Sequence, residues 1–328
     1  MSYGTFLNAP LVAPEEAPAG AVALVGVPHD STHTTRLGTR YGPRSIRAAS
    51  VAIADAFTRA PRRALSEDAR TALVLPGSPR VVDVGDAPVF PNDLERTTES
   101  VRATMRTLAR RRTFPVLMGG DHYISYPSFW GFSEGLPLSV GRVGYVHIDG
   151  HLDFAYDNPV WGKRFHGSNA RRVSELDVVD PRDMVFVGIH GYVSQEQWST
   201  LKKNGSTVLT HVDVQRLGPV EVARRAAGIA GERTDCVYVS FDIDVIDTAY
   251  VPGTGGVVIG GMTPGQMREV LGVLAAANVG AIDVMEVSPV LDPSGRSPRL
   301  AAELITHFLA PRIFDREVLS RMDSEAAR

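Results

Sequence analysis

Short apolar runs alternate along the chain with stretches whose apolar positions return at helical spacing. Ala21-Val-Ala-Leu-Val-Gly-Val27, ended by Pro28, is short and Val-rich, which suits a strand buried on both faces better than a helix. Val81–Val84, Phe114–Met118, Val143–Val146, Met184–Ile189, Thr207–Val212, Cys236–Val239 and Ala281–Met285 read as further strands. Pro43 suits the first turn of a helix running through Ile46 and Ile53. Between Asp93 and Arg112, Leu94, Val101, Met105 and Leu108 mark one face of a long amphipathic helix. Other helices are predicted over 167–177, Ser194–Lys203, Pro219–Ala230, Thr263–Ala277 and Pro298–Leu309. Strands alternating with helices over short connections predict an α/β fold, a three-layer α/β/α arrangement around a mostly parallel central sheet.

No repeat or low-complexity linker divides the 328 residues, so residues 1–328 are expected to form a single domain. Residues 1–20, rich in Ala and Pro, are expected as a loosely ordered N-terminal arm. A chain that is 44% hydrophobic can bury one large core. The net charge of −3 and the pI near 6.3 give no electrostatic reason to expect nucleic acid or a membrane surface as partner. There is no basic start followed by an apolar core, and no apolar stretch long enough to span a bilayer. The single Cys236 excludes a disulfide framework. These features lead to the expectation of a soluble, cytoplasmic protein.

The polar clusters fall just after predicted strands, where open α/β sheets bind their ligands. Gly119-Gly-Asp-His122 follows one strand, and the glycines allow the tight turn that throws the next residues up at its end. His147-Ile-Asp149-Gly-His151-Leu-Asp153 follows another. In extended backbone alternate side chains share a face, so Asp149, His151 and Asp153 are expected to point the same way. Ser240-Phe-Asp242-Ile-Asp244 and Glu286-Val-Ser-Pro289 follow two more. Carboxylates are rarely fully buried unless paired or bound to a cation, so crowding of this kind calls for positive charge. His122, Asp149, His151, Asp153, Asp242 and Asp244 are therefore candidate metal ligands. Such a hard, oxygen-rich set with some nitrogen suits Mn2+ and argues against a closed thiolate zinc site. Four ligand aspartates carry about −4, which two divalent ions balance, and two ions roughly 3.5–4 Å apart can share and activate a water. Metal-assisted hydrolysis is the implied chemistry.

In this order the four motifs resemble the ureohydrolases: arginase, agmatinase and the guanidino-acid hydrolases. The matching motifs run from Gly26 to the last strand, and Arg40-Tyr-Gly-Pro43 with Ile46-Arg47 is similar to the agmatinase-like branch. The resemblance implies an arginase-like sheet and two Mn2+, with Ni2+ as an alternative. His122, Asp149, Asp153 and Asp242 would hold one ion. Asp149, His151, Asp242 and Asp244 would hold the other, with Asp149 and Asp242 bridging. Glu286 would pair with the substrate guanidinium, a role suited to bidentate geometry. His166 would be the proton shuttle, since its reference pKa suits transfer near neutrality. The implied reaction is attack of metal-bridging hydroxide on the guanidinium carbon. It releases urea and an amine protonated with help from His166 or Asp244. A homo-oligomer, trimer or hexamer, is implied as well.

Several positions depart from the family pattern. Gly150 replaces Ala, Leu37 replaces Pro, Thr248 stands where Pro is usual, Gly256-Val257 replaces Thr-Pro, and His190 stands where Arg is usual. These are mostly pocket or loop positions, so the small-molecule guanidino substrate stays open: agmatine, or a guanidino acid such as 4-guanidinobutyrate. In the loop before His166, Lys163 and Arg164 would receive a substrate carboxylate, whereas Asp157 would receive an amine. Guanidine and formimidoylglutamate are alternative substrates. From a different class, a catalytically inactive ureohydrolase-like binding protein is the other reading. Four ligand aspartates speak against the one-zinc deacetylases of similar fold.

Overall fold

The computed structural model describes residues 4–58, 63–65, 71–74, 80–137 and 139–318. In chain order the strands are β1 (Val22–Gly26), β2 (Arg63–Leu65), β3 (Thr71–Val74), β4 (Val81–Asp86), β5 (Phe114–Met118), β6 (Val143–Ile148), β7 (Met184–Ile189), β8 (Thr207–Thr210), β9 (Cys236–Asp242), β10 (Val279–Met285) and β11 (Asp315–Val318). The helices are α1 (Gly42–Thr58), α2 (Leu94–Arg110), α3 (Ser125–Gly135), α4 (Asn169–Val173), α5 (Gln195–Asn204), α6 (His211–Leu217), α7 (Pro219–Gly231), α8 (Pro264–Ala275) and α9 (Arg296–Ile313). Eight strands form one sheet in the order β4-β1-β5-β10-β9-β6-β7-β8, with every pairing parallel. β11, β3 and β2 form a separate antiparallel sheet.

Period-2 alternation divides the central strands between two cores. Val146 and Ile148 join the cluster that holds Ile46, Val222, Leu271 and Leu304 from α1, α7, α8 and α9. Val143 and Tyr145 face the other way, onto Val101 of α2 and Phe129 of α3. Helices thus cover both faces of the sheet, giving the expected three layers. Among the described residues no helix is long and apolar enough to cross a membrane.

Two local features differ from the pattern-based expectation. Thr207–Val212 does not stay extended: the chain leaves β8 at Thr210, whose Oγ1 accepts from Asp213 N–H at 3.3 Å while Asp213 Oδ2 accepts from Thr210 N–H at 2.7 Å. This capping box starts α6 and overrides the β-branched composition. α3 gives no clean periodic signal because its buried side mixes Ser125 and Ser128 with Tyr126, Phe129 and Phe132, while its partly exposed side carries Trp130 beside Ser133 and Glu134. Within the N-terminal segment Phe6 is fully buried, and its N–H donates to Asp83 Oδ2 at 2.9 Å.

The sheet order has one consequence for chemistry. β5, β10, β9 and β6 are consecutive neighbours, so the residues at their carboxyl ends, His122, Glu286, Asp242 and Asp149, are brought to one place.

Candidate metal centre and substrate pocket

His122, fully buried at the end of β5, points its Nδ1 at three carboxylates. Asp149 Oδ2 lies 3.0 Å away, Asp242 Oδ2 3.0 Å and Asp153 Oδ2 3.2 Å. A second group lies alongside: His151 Nδ1 is 3.0 Å from Asp244 Oδ2 and 3.4 Å from Asp149 Oδ1. Asp149 thus offers one oxygen to each group. All six candidate ligands converge, but not as a row on one face. β6 ends at Ile148, Asp149 Oδ1 accepts from His151 N–H at 2.6 Å, and Asp153 takes a φ of 46°. The chain curls, sending Asp153 to the His122 group and His151 to the Asp244 group.

The arrangement fits divalent cations. Ligand atoms bound at about 2.1 Å in octahedral directions sit about 3 Å apart, the spacing seen around His122. His122 Nδ1 and Asp149 Oδ2 are buried and form no aligned hydrogen bond, so their lone pairs are left for an ion. The protonation preferences agree. Burial, then the neighbouring Asp244 and Asp149, push the Asp242 carboxyl well above the aspartate range, and burial pushes Asp244 up to about 6. His151 is raised by Asp244, and His122 is raised by its three carboxylates in spite of burial. Asp149 goes the other way: His147, His122 and His151 hold it well below its usual range although burial opposes this. Carboxylates this crowded disfavour a common negative charge, a cost that bound cations would relieve.

A surrounding set of groups orients the ligands. His122 Nε2 meets Ser240 Oγ at 2.9 Å, and Ser240 donates to Asp283 Oδ1 at 2.8 Å. This contact places the ring proton on Nε2 and frees Nδ1. Tyr238 O–H donates to Asp283 Oδ2 at 2.8 Å. Asn169, at the start of α4, donates to Asp153 Oδ2 at 2.8 Å and to the His166 carbonyl at 3.0 Å. His147 Nε2 lies 2.9 Å from Asp149 Oδ2. Asp121, beside His122 in the sequence, is not among the converging ligands: its Oδ2 accepts Thr32 N–H at 3.0 Å and Thr32 O–H at 2.8 Å, pinning the loop after β1. Replacing Ser240 by Ala should weaken metal affinity about 10- to 100-fold, because His122 loses its tautomer control. Titration of the stripped protein measures this, and an unchanged affinity would show that Ser240 is only a packing residue.

Glu286 lies next to the cluster, buried, with a φ of 65°. Positive φ at Glu286 and Asp153, neither of them glycine, concentrates backbone strain at this place. Glu286 Oε1 accepts His122 N–H at 2.9 Å and lies 3.5 Å from His166 Nδ1. Its Oε2 faces His33 Nε2 at 3.0 Å. Although burial opposes ionisation, His166 and His33 hold the carboxyl well below the glutamate range. In return Glu286 pushes His166 up to about 9 against its own burial.

A cavity of about 450 Å³ opens onto His151, Asp153 and His166, and reaches Asp157, His190, Tyr192 and Gln197. Lys163 and Arg164 are not part of it. Lys163 lies over the Tyr156 ring at 4.7 Å, and Arg164 pairs with Glu95. His190 lines the wall, with Nδ1 2.9 Å from the Gly188 carbonyl. A Cβ on Gly150 would stand 2.9 Å from His190 Cε1 and 3.2 Å from Asp244 Oδ1, so the two departures from the family pattern are one packing event. A larger cavity, about 760 Å³, lies beside the N-terminal segment, away from the cluster. Its Arg47 is bound to Asp83 and Asp86, and its Arg40 to Asp30.

The sequence of residues 20–310 matches the profile of the arginase family. The guanidinopropionase of Pseudomonas aeruginosa is 34% identical over 88% of this chain and 85% of its own. The mitochondrial agmatinase of Gallus gallus is 32% identical over 88% of this chain and 79% of its own. Among solved structures, the proclavaminate amidino hydrolase of Streptomyces clavuligerus superposes with a TM-score of 0.80 at 26% identity, covering 95% of this chain and 97% of the other. With the buried His/Asp cluster at the tips of its central strands, the chain belongs to the arginase family and is a hydrolase of C–N bonds in linear amidines.

Proposed function

We propose that the protein is a binuclear, manganese-dependent hydrolase of a small guanidino compound, releasing urea and an amine. The observation that carries this reading is the adjacency of two groups: six converging nitrogen and oxygen ligands, and the buried, ionised Glu286 beside them. Two divalent ions held by His122, Asp149, His151, Asp153, Asp242 and Asp244 would supply Lewis acidity and water activated at neutral pH. The oxygen-rich donor set with two imidazoles favours Mn2+ over zinc. Glu286 offers a planar anion to the guanidinium, fixing the substrate by charge-assisted hydrogen bonds. His166, at the cavity wall, holds a proton at the nitrogen facing Glu286 and can pass it to the departing amine.

The cavity also sorts the candidate substrates. Besides the metal ligands its lining brings one carboxylate, Asp157, and no Lys or Arg, because Lys163 and Arg164 are engaged elsewhere. A guanidino acid would carry its carboxylate past Asp157 with no cation to meet it. A cationic tail, as in agmatine, meets a favourable charge. Arginine and formimidoylglutamate carry the carboxylates this wall does not receive. The inactive-protein reading has no support from the ligand set, since none of the six is missing.

Two measurements test the proposal. Chelation should abolish urea release and Mn2+ should restore it. A panel of agmatine, 4-guanidinobutyrate, 3-guanidinopropionate, arginine and guanidine should then show agmatine ahead of each guanidino acid by about tenfold, the scale of one rim charge. Full turnover by a metal-free preparation, or a guanidino acid in first place, would defeat the metal or the tail assignment respectively.

A further inference from the structure

Among the groups that the proposed reaction leaves unused, His33 is the most completely built into the site. Its side chain is fully buried, and its ring stacks on His166 with centroids 4.3 Å apart and planes inclined by 19°. The loop that carries it is fixed on both sides. Thr32 is held by Asp121, Thr35 O–H donates to the Gly255 carbonyl at 3.0 Å, and Arg36 donates to the Thr254 carbonyl at 3.0 Å. Gly255 makes room for the ring: a Cβ there would stand 2.4 Å from His33 Cε1 and Nε2.

His33, His166 and Glu286 lie close enough together to hold a cation. The proton positions argue otherwise. His33 Nδ1 accepts Thr35 N–H at 3.1 Å, and His166 Nε2 accepts Thr34 N–H at 3.2 Å. A nitrogen that accepts from a backbone N–H has its lone pair in use, so each ring directs its N–H from the other nitrogen. Both rings therefore turn an N–H, not a lone pair, toward Glu286. The trio is a carboxylate flanked by two donors, which is the geometry of a held anion.

We propose that His33 is a positioning residue for the guanidinium end of the substrate, an assignment that rests on the hydrolase reading above. Its Nε2–H faces Glu286 Oε2 and keeps the carboxylate plane fixed against the site, while its ring face sets the plane of His166. His33 Nε2 and Glu286 Oε2 are both buried and lie 3.0 Å apart without an aligned hydrogen bond to any group, so each has the other as its nearest polar neighbour. One residue thereby ties the group that receives the guanidinium to the group that handles the proton.

The test compares His33→Ala and His33→Gln in manganese-loaded protein, with the most active guanidino compound as substrate and guanidinium chloride as competitive inhibitor. Glutamine restores an N–H near the Nε2 position but offers no ring face to His166. His33→Ala should raise KM and the guanidinium inhibition constant together by about 10- to 100-fold, the cost of leaving a buried carboxylate oxygen without its neighbouring polar group. His33→Gln should return both to within about threefold of the parent while kcat stays down about two- to tenfold, the worth of a ring contact. An unchanged KM in His33→Ala, equal KM in the two variants, or loss of metal and Tm in both would overturn the assignment. No urea from the loaded parent protein would overturn the hydrolase reading itself, and the His33 assignment with it.

Discussion

Asp242→Asn is expected to slow urea release by at least about 10³-fold, the loss of several kcal/mol of metal-derived stabilisation, and yet to melt higher than the parent when both are stripped of metal. Asp242 is fully enclosed, and its carboxyl is pushed well above the aspartate range by burial and then by Asp244 and Asp149. Without cations the fold must either keep a proton there or bear a buried charge among like charges. An amide of the same shape removes that penalty, and each kcal/mol recovered raises Tm by about 2–4 °C in a large domain. The stability of the stripped protein also depends on pH. Asp244 is pushed up to about 6, so its penalty is absent below the ordinary aspartate value of about 4 and grows until the pH passes 6. His122 and His151 are raised, so their contribution is complete below about 6.5 and is lost as the pH climbs through their higher values. Asp149, held low, changes its contribution only below about 4, outside this window. Stripped parent protein should therefore lose Tm steadily from weakly acid to weakly alkaline pH. Loaded protein should gain it, since the ions need deprotonated ligands. Calorimetry of both forms decides the matter. A stripped Asp242→Asn variant less stable than the stripped parent would remove the argument that the ligand cluster is held together against its own repulsion.

What was legible in the sequence is what is written locally. β5 and β7 fall on the expected bounds because both are continuous apolar runs closed by glycine or by a loop. The six ligands were legible because each sits within a few residues of a strand end, and the parallel sheet order of β5, β10, β9 and β6 does the rest. The groups behind them were not. Asp283 reads as a mid-strand position, and only its register beside Ser240, itself opposite His147, shows a polar row threaded through the sheet beneath the ligands. Asn169 looks like an ordinary helix start, and His33 like one more residue of a polar loop. The direction of a loop side chain is likewise unwritten: Lys163, Arg164 and Asp157 occur within eight positions, yet only Asp157 lines the cavity. Gly150 and His190 stand far apart in the chain, and only packing reveals that one makes room for the other.

Glu286→Gln should lower kcat/KM by about 10²- to 10³-fold while leaving the metal content of the protein intact. The magnitude is that of removing one member of a buried, hydrogen-bonded charge pair, about 2–5 kcal/mol. Metal is retained because Glu286 contacts the ligand set only through the backbone N–H of His122, which a glutamine carbonyl can still receive. The loss should divide between the two kinetic constants. KM rises because a neutral amide offers the guanidinium one acceptor in place of two and presents an N–H where the substrate has its own. kcat falls because Glu286 is what pushes His166 up to about 9 against burial. With a neutral partner the buried imidazole loses that support, and its basic limb in the pH profile of kcat should move downward. Glu286→Asp is the informative companion, since it keeps the charge but shortens the reach by one methylene. It should keep the His166 limb closer to the parent while KM still rises. If Glu286→Gln raised KM alone and left the pH profile of kcat in place, the coupling of guanidinium recognition to proton handling through this carboxylate would fail. His166 would then have to draw its proton affinity from Asp153 and Asp121, which contribute less to it than Glu286 does.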